Sequence, residues 1–120
     1  MKIFVAIGLG GCLGAISRYY ISMLAAKTAV FPFSTLCINL VGCFCLAFLF
    51  TTFTNRTPLV LGIGTGFLGA FTTFSTFSVE TLLLLENSKW GQALAYCLMS
   101  VFGGLVCAWL GALLARRRMQ

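Results

Sequence analysis

Residues 72–80 read Thr-Thr-Phe-Ser-Thr-Phe-Ser-Val-Glu, and they concentrate the groups in this chain best suited to handling a small ion. Hydroxyls in series can replace water around an ion. Phe74 and Phe77 interrupt that series, and a phenyl edge is weakly positive and can face an anion. An aromatic stripe equally serves as a lipid-facing or core surface. Glu80 ends the run as a carboxylate in an apolar stretch, where ionisable residues are functional candidates by default. A helix-to-helix hydrogen bond explains it as well. Asn39 offers two N–H donors that are costly to leave unpaired, so it is either a structural bridge or a donor on an ion path. Arg18 is either an anchor whose head snorkels outward or an attractor for anions at a vestibule. Ser100 either caps a polar track beside Tyr96 or bonds back within its own helix. Covalent chemistry has no support: the chain has no His, two carboxylates and no serine beside a recognisable base. It does not read as an enzyme.

The segment before this run is rich in glycine: Gly62, Gly64, Gly66 and Gly69. Gly64-Thr65-Gly66-Phe67-Leu68-Gly69 matches the dinucleotide fingerprint letter for letter, but that pattern has meaning only between a strand and a helix of a βαβ unit. Here it lies inside an apolar span, so the match is accidental. Glycines followed by β-branched and hydroxyl residues make an interrupted helix plausible, and a continuous glycine-rich packing helix remains open. An interruption frees carbonyl oxygens, which suit a hard cation such as Na+. On an ideal helix Thr65, Gly69, Thr72, Thr76 and Glu80 share one face, with Phe67, Phe71 and Phe74 roughly opposite and Phe77 between.

The elements that must position these groups follow from composition. Of 120 residues, 60% are apolar and 8% charged, against about a quarter charged in a soluble domain. Residues 28–55, 57–79 and 90–115 contain no Asp, Glu, Lys or Arg, and each exceeds the roughly 20 apolar residues a spanning helix needs. Residues 3–17 continue past Arg18 to make a fourth span. The predicted architecture is an all-α membrane protein, a single domain over 1–120, with helices at about 3–26, 34–53, 59–86 and 90–115. Pro32 and Pro58 fall just before the second and third spans, where proline ends one element and permits the next.

Each span but the third carries a stripe of small or polar residues: Gly11, Gly14, Ala15, Arg18 and Ser22; Thr35, Asn39, Gly42 and Cys43; Tyr96, Ser100, Gly103, Gly104, Cys107 and Gly111. Small stripes let helices approach closely in lipid. The net charge of +6 is no nucleic-acid signature, because the cations sit between spans and at the ends. Lys2, Arg56 and Arg116–Arg118 fall on one side; Lys27 and Lys89 fall on the other, with Arg18 if it snorkels. That distribution mildly favours cytoplasmic termini, but only through the last three arginines. A weak bias is also what a chain inserting both ways round requires. The 6 cysteines lie within spans, form no CxxC pair and read as small packing residues. Met1-Lys2 and the following apolar run resemble a signal peptide, and Leu9-Gly10-Gly11-Cys12 faintly resembles a lipoprotein cleavage box. Cleavage would destroy the first span, so a retained helix is expected. The Asn55-Arg56-Thr57 sequon lies in a loop too cramped for glycosylation.

Gly10-Gly11-Cys12-Leu13-Gly14-Ala15 leading to Arg18-Tyr19, Thr35-Leu36-Cys37-Ile38-Asn39-Leu40-Val41-Gly42 and, most specifically, GFLGAFTTFSTFSVE at 66–80 closely resemble the Fluc (CrcB) family of small fluoride channels. The resemblance covers essentially the whole chain. It implies a third helix broken near mid-membrane and an antiparallel, dual-topology dimer in the cell (inner) membrane. It also implies two narrow fluoride pathways and a central, structural, non-transported Na+. By that resemblance the backbone carbonyls of Gly69 and Thr72 from both subunits hold Na+. Phe74 and Phe77 present ring edges to fluoride, and Asn39 donates to it. Ser75, Thr76, Glu80, Tyr96 and Ser100 line or neighbour the polar track, with Arg18 at the pore mouth. The activity implied is export of fluoride that enters as neutral HF and ionises inside.

A four-helix monomer is too thin to enclose an aqueous path while shielding Asn39 and the hydroxyl row from lipid, so a dimer is expected on physical grounds too. The arginines at 116–118 sit awkwardly with dual insertion and leave open a heterodimer with an oppositely oriented relative. Two rival readings stand beside this one. A small proton-coupled four-helix transporter would need an acid in the first helix, which has Arg18 instead; Glu80 is the only substitute. A non-conducting membrane assembly subunit would use the glycine stripes for packing alone.

Overall fold

The computed structural model describes residues 1–25 and 31–120, and these are helical throughout apart from short connections. Helix α1 is Lys2–Ala25 and α2 is Phe33–Thr52. The third span begins with α3 (Pro58–Leu61), passes through a π-helical stretch at Gly62–Leu68, and continues as α4 (Gly69–Phe71) and α5 (Ser75–Glu86). Helix α6 is Trp90–Arg118. Four stretches, Lys2–Ala25, Phe33–Thr52, Pro58–Glu86 and Trp90–Arg118, are long and apolar enough to cross a membrane. Ala26 and Lys27, on which the predicted end of the first helix and one of its flanking charges fall, lie outside the described residues.

Local chemistry accounts for the helix ends. Pro58 opens α3, and the Thr57 hydroxyl accepts the Val60 N–H at 3.3 Å, satisfying one of the donors a helix start leaves free. The fourth helix extends past the predicted 115 to Arg118. Arginine is a good helix former, and cations in the last turn interact favourably with the helix dipole.

Two parallel pairings build the bundle: α6 lies along α2, and α1 lies along the third span. Missing side chains permit both. A Cβ at Gly14 would run into the Phe67 carbonyl, and one at Gly111 would run into the Phe44 carbonyl. Close backbone approach of this kind replaces the hydrophobic effect as the organising force in lipid. The bundle measures 47 × 32 × 20 Å, and its buried core is small: Leu36, Leu84, Ala93 and Tyr96, backed by Phe31, Leu40, Phe77 and Leu85. Most large apolar side chains, among them Phe4, Leu24, Leu59, Phe74, Leu94 and Trp109, point outward. Hydrocarbon tolerates that surface, whereas water does not.

The third span departs from an ideal helix twice. The Gly69 N–H reaches back to the Gly64 carbonyl, five residues earlier, so the stretch before it is wider than an α-helix. After Phe71 the backbone of Thr72 is extended, with φ −73° and ψ 155°, and helix resumes at Ser75. The single face expected for Thr65, Gly69, Thr72, Thr76 and Glu80 is therefore dislocated. The widened turn and the extended residue each rotate the helical segments on their two sides relative to one another. The GxGxxG match sits in the π-helical stretch and packs on the backbone of α1 at Ile7 and Gly10, so it presents no open glycine loop to a nucleotide.

Candidate functional site

Two side chains from neighbouring helices meet the third span at its non-helical residues and just before them. Asn39, on α2, donates its Nδ2 to the Thr73 carbonyl at 2.9 Å and accepts the Thr73 N–H on Oδ1 at 2.8 Å. One side chain thus satisfies both backbone groups of a residue that no helix ladder serves, as buried amide groups require. One N–H of the amide has no partner among the described residues. From α1, Arg18 donates its Nε to the Ala70 carbonyl at 3.2 Å. Its Nε thus serves a carbonyl left free by the helix interruption. The Thr73 hydroxyl then caps the restarting helix, accepting the Thr76 N–H at 3.1 Å and lying 3.1 Å from Thr76 Oγ1 and 3.2 Å from Ser75 Oγ.

These bonds leave a specific remainder. The Thr72 N–H and hydroxyl both go to the Leu68 carbonyl at 3.0 Å. Ala70 and Thr73 carbonyls are taken by Arg18 and Asn39. The carbonyls of Phe71 and Thr72 receive no hydrogen bond among the described residues, and that of Gly69 receives only a long contact, 3.5 Å, from the Thr72 hydroxyl. Gly69 itself lies on the exposed side of the bundle.

Beyond the interruption, three helices converge on Glu80. Thr35 of α2 donates to Oε1 at 2.8 Å and Tyr96 of α6 donates to Oε2 at 2.7 Å. Thr35 is 2% exposed and Tyr96 0%, so these hydroxyls have no water to fall back on. Both carboxyl oxygens act as acceptors. The Tyr96 ring packs against Phe77 with centroids 5.0 Å apart, and Phe77 lies 5.8 Å from Phe74. Phe74 is 79% exposed, a phenyl ring held out from the protein next to a gap in its own helix. One turn along α6 from Tyr96, the Ser100 hydroxyl is buried and has no hydrogen-bond partner among the described residues. It does not bond back to its own helix.

The structure thus gathers Asn39, Thr76, Ser75, Phe74 and Phe77 around the interruption and Glu80, Tyr96 and Ser100 beside it. Arg18 approaches the other flank, at Ala70. Two participants carry no signal strong enough to single them out in sequence. Thr35 precedes Asn39 by four residues, and that shared helix face was its one clue. Thr73 acts mainly through its backbone, which no residue type announces. The described residues contain no group of three or more His, Cys, Asp or Glu arranged to hold a metal.

Comparison with known proteins places this geometry. The family described as CrcB-like protein, Camphor Resistance (CrcB), matches residues 5–112. A Bacillus cereus protein named fluoride-specific ion channel FluC 1 is 49% identical over 115 residues, covering 91% of this chain and 84% of its own. A Listeria monocytogenes protein named fluoride-specific ion channel FluC 2 is 45% identical over 121 residues, covering 98% and 93%. A Listeria innocua protein of the same name is 46% identical over 112 residues, covering 90% and 86%. With the match reaching into all four spans and covering the interruption within the third, this chain is a multi-pass membrane protein and belongs to the CrcB-like family.

Proposed function

We propose that the protein is a fluoride-selective channel, not an enzyme, that lets fluoride ions leave the cytoplasm. The observation that carries this reading is the exposed Phe74 ring and its neighbour Phe77 set beside the Asn39-clamped interruption. Ring edges and single N–H or O–H donors suit a small, strongly hydrated anion that must exchange water for protein contacts. Among the described residues the donors left uncommitted are the second Asn39 N–H, the Ser100 hydroxyl and the Thr76 hydroxyl, which accepts from Thr73, whereas Ser75 gives its proton to the Thr73 hydroxyl. Tyr96 and Thr35 give their protons to Glu80. They therefore act in this reading by fixing the wall of the path, and Glu80 binds helices together instead of exchanging protons. Arg18 holds the Ala70 carbonyl at the flank of the path.

The working unit in this reading is an antiparallel dimer with two pathways. A slab 20 Å thick is about two helices deep, too thin to wall a wet path alone. The third span is read as a helix broken near mid-membrane, whose gap faces the same gap of a second copy. The carbonyls of Gly69 and Thr72 lack firm partners, as those of a Na+ site should, and one copy supplies too few oxygens for a cage. Two copies supply enough, and a hard cation is suited by carbonyl oxygen. The ion would neutralise converging carbonyl dipoles at the interface and would not move. A heterodimer with a related chain satisfies the same geometry.

The test is fluoride release from liposomes containing the purified protein, read with a fluoride electrode beside chloride-loaded controls. Rapid fluoride loss with little chloride loss is the expected result. No fluoride loss from well-folded protein would overturn the proposal and favour the packing-subunit reading.

A further inference from the structure

We propose that the arginine-bearing end of the bundle, with the apolar groove running from it, binds an anionic phospholipid, phosphate on the cations and an acyl chain in the groove. The helices alternate in direction, so the start of α1, the end of α2, the start of α3 and the end of α6 lie together. Five cationic side chains crowd that end: Lys2, Arg56, Arg116, Arg117 and Arg118. No side-chain carboxylate accompanies them, because Glu80 lies within α5 and Glu86 closes it at the opposite end.

Two of the guanidiniums are seated on the last turn of α2. Arg56 lies over the Phe50 ring at 4.0 Å and Arg118 near the Phe48 ring at 5.8 Å. A guanidinium resting on a ring face keeps its N–H edge free, and that planar fork suits phosphate. The aromatic seats also fix the charges at the depth of a headgroup instead of letting them wander into water.

The second observation is independent of charge. Between α1 and the third span a groove of about 270 Å³ is lined by Ala6, Gly10, Leu13, Leu59, Ile63 and Phe67. Its upper residues are Ala6, one helical turn below Lys2, and Leu59, just beyond Arg56. Gly62, which also lines the groove, packs directly on the Ala6 backbone. The lining is almost purely apolar, which fits an acyl chain and not a hydrated ion. A second copy of this chain is the poorer occupant of the site as a whole. Its parallel end repeats the same cations, and its opposite end offers Glu86 paired in sequence with Lys89, so neither supplies the missing negative charge. A phospholipid supplies both parts at once.

The experiment uses the purified full chain, stripped of lipid and incubated with mixed micelles of equal phosphatidylglycerol and phosphatidylcholine, with co-eluting lipid quantified by mass spectrometry. Wild-type protein is expected to retain phosphatidylglycerol at least about tenfold over phosphatidylcholine. The triple change Arg116→Gln, Arg117→Gln, Arg118→Gln should lower that preference, by about fivefold per charge at most. Lys2→Gln with Arg56→Gln, on the chain end and a loop, gives the same readout if the triple variant does not fold. Ile63→Trp, at a position 42% exposed in the groove, should reduce retention with every arginine intact. Equal retention of the two lipids overturns the proposal. Displacement of phosphatidylglycerol by equimolar glycerol 3-phosphate also overturns it, since a free phosphate would then suffice. Unchanged lipid retention in Ile63→Trp with an altered monomer–dimer equilibrium overturns it as well, assigning the groove to a second copy.

Discussion

Changing Asn39 to Asp tests how the interruption in the third span is held, because it alters one atom's chemistry and almost no volume. The native amide donates to the Thr73 carbonyl and accepts the Thr73 N–H at 2.9 and 2.8 Å. An ionised carboxyl keeps the second bond and loses the first, and it sets an anionic oxygen against the carbonyl. Removing the donor and leaving the buried carbonyl unpaired costs about 1–3 kcal/mol. That corresponds to a fall of roughly 5- to 150-fold in the population with the interruption intact. A protonated carboxyl restores the pattern, since its O–H replaces the amide N–H. The variant's function is therefore present at low pH, where the carboxyl is protonated, and lost as pH rises. Fluoride efflux from liposomes between about pH 5.5 and 8 reads this directly. The wild type should show no matching recovery on acidification. Full, pH-independent flux from Asn39→Asp would refute the clamp.

Three further outcomes are expected. Phe74→Ile and Phe77→Ile, made singly, should abolish fluoride flux while the protein elutes from gel filtration as wild type does, because the aliphatic side chain keeps bulk and loses the positive ring edge; full flux in both would remove the rings from the pathway. Purification with Na+ replaced by a large organic cation should impair flux, and Thr72→Ser should be mild because the proposed ligand is the backbone carbonyl; indifference to the cation would count against a buried sodium site. Glu80→Ala should lower stability by about 2–5 kcal/mol by orphaning the Thr35 and Tyr96 hydroxyls, whereas Glu80→Gln, which can still pair with both, should lose less than half as much in thermal unfolding in detergent.

Much of this molecule is legible in its sequence because lipid imposes few, strong rules. A spanning segment must be apolar, long and internally hydrogen-bonded, and those requirements are visible residue by residue from Lys2 to Arg118. The proline starts, the glycine stripes and the outlying cations obey equally local rules. The run at 72–80 announces polar function by composition alone, since hydroxyls and a carboxylate are expensive in hydrocarbon.

What sequence leaves open at Asn39, Arg18, Glu80 and Ser100 is a choice between structural and ion-facing roles, because each side chain has more than one partner it can reach. Tertiary structure shows which partners lie within reach. Asn39 is bound on both polar atoms to Thr73, thirty-four positions away. Arg18 turns to a carbonyl fifty-two positions away, and Glu80 receives one hydroxyl from each of two other helices. Ser100 is left without a partner among the described residues. Nor does helical periodicity foresee the widened turn at Gly62–Leu68, which arises where glycine backbones meet α1. Composition and period therefore determine that this chain spans a membrane four times and where its polar groups lie along each span. Which of those groups are engaged in hydrogen bonds between helices depends on helices packed across long sequence separations, and only the folded structure decides it.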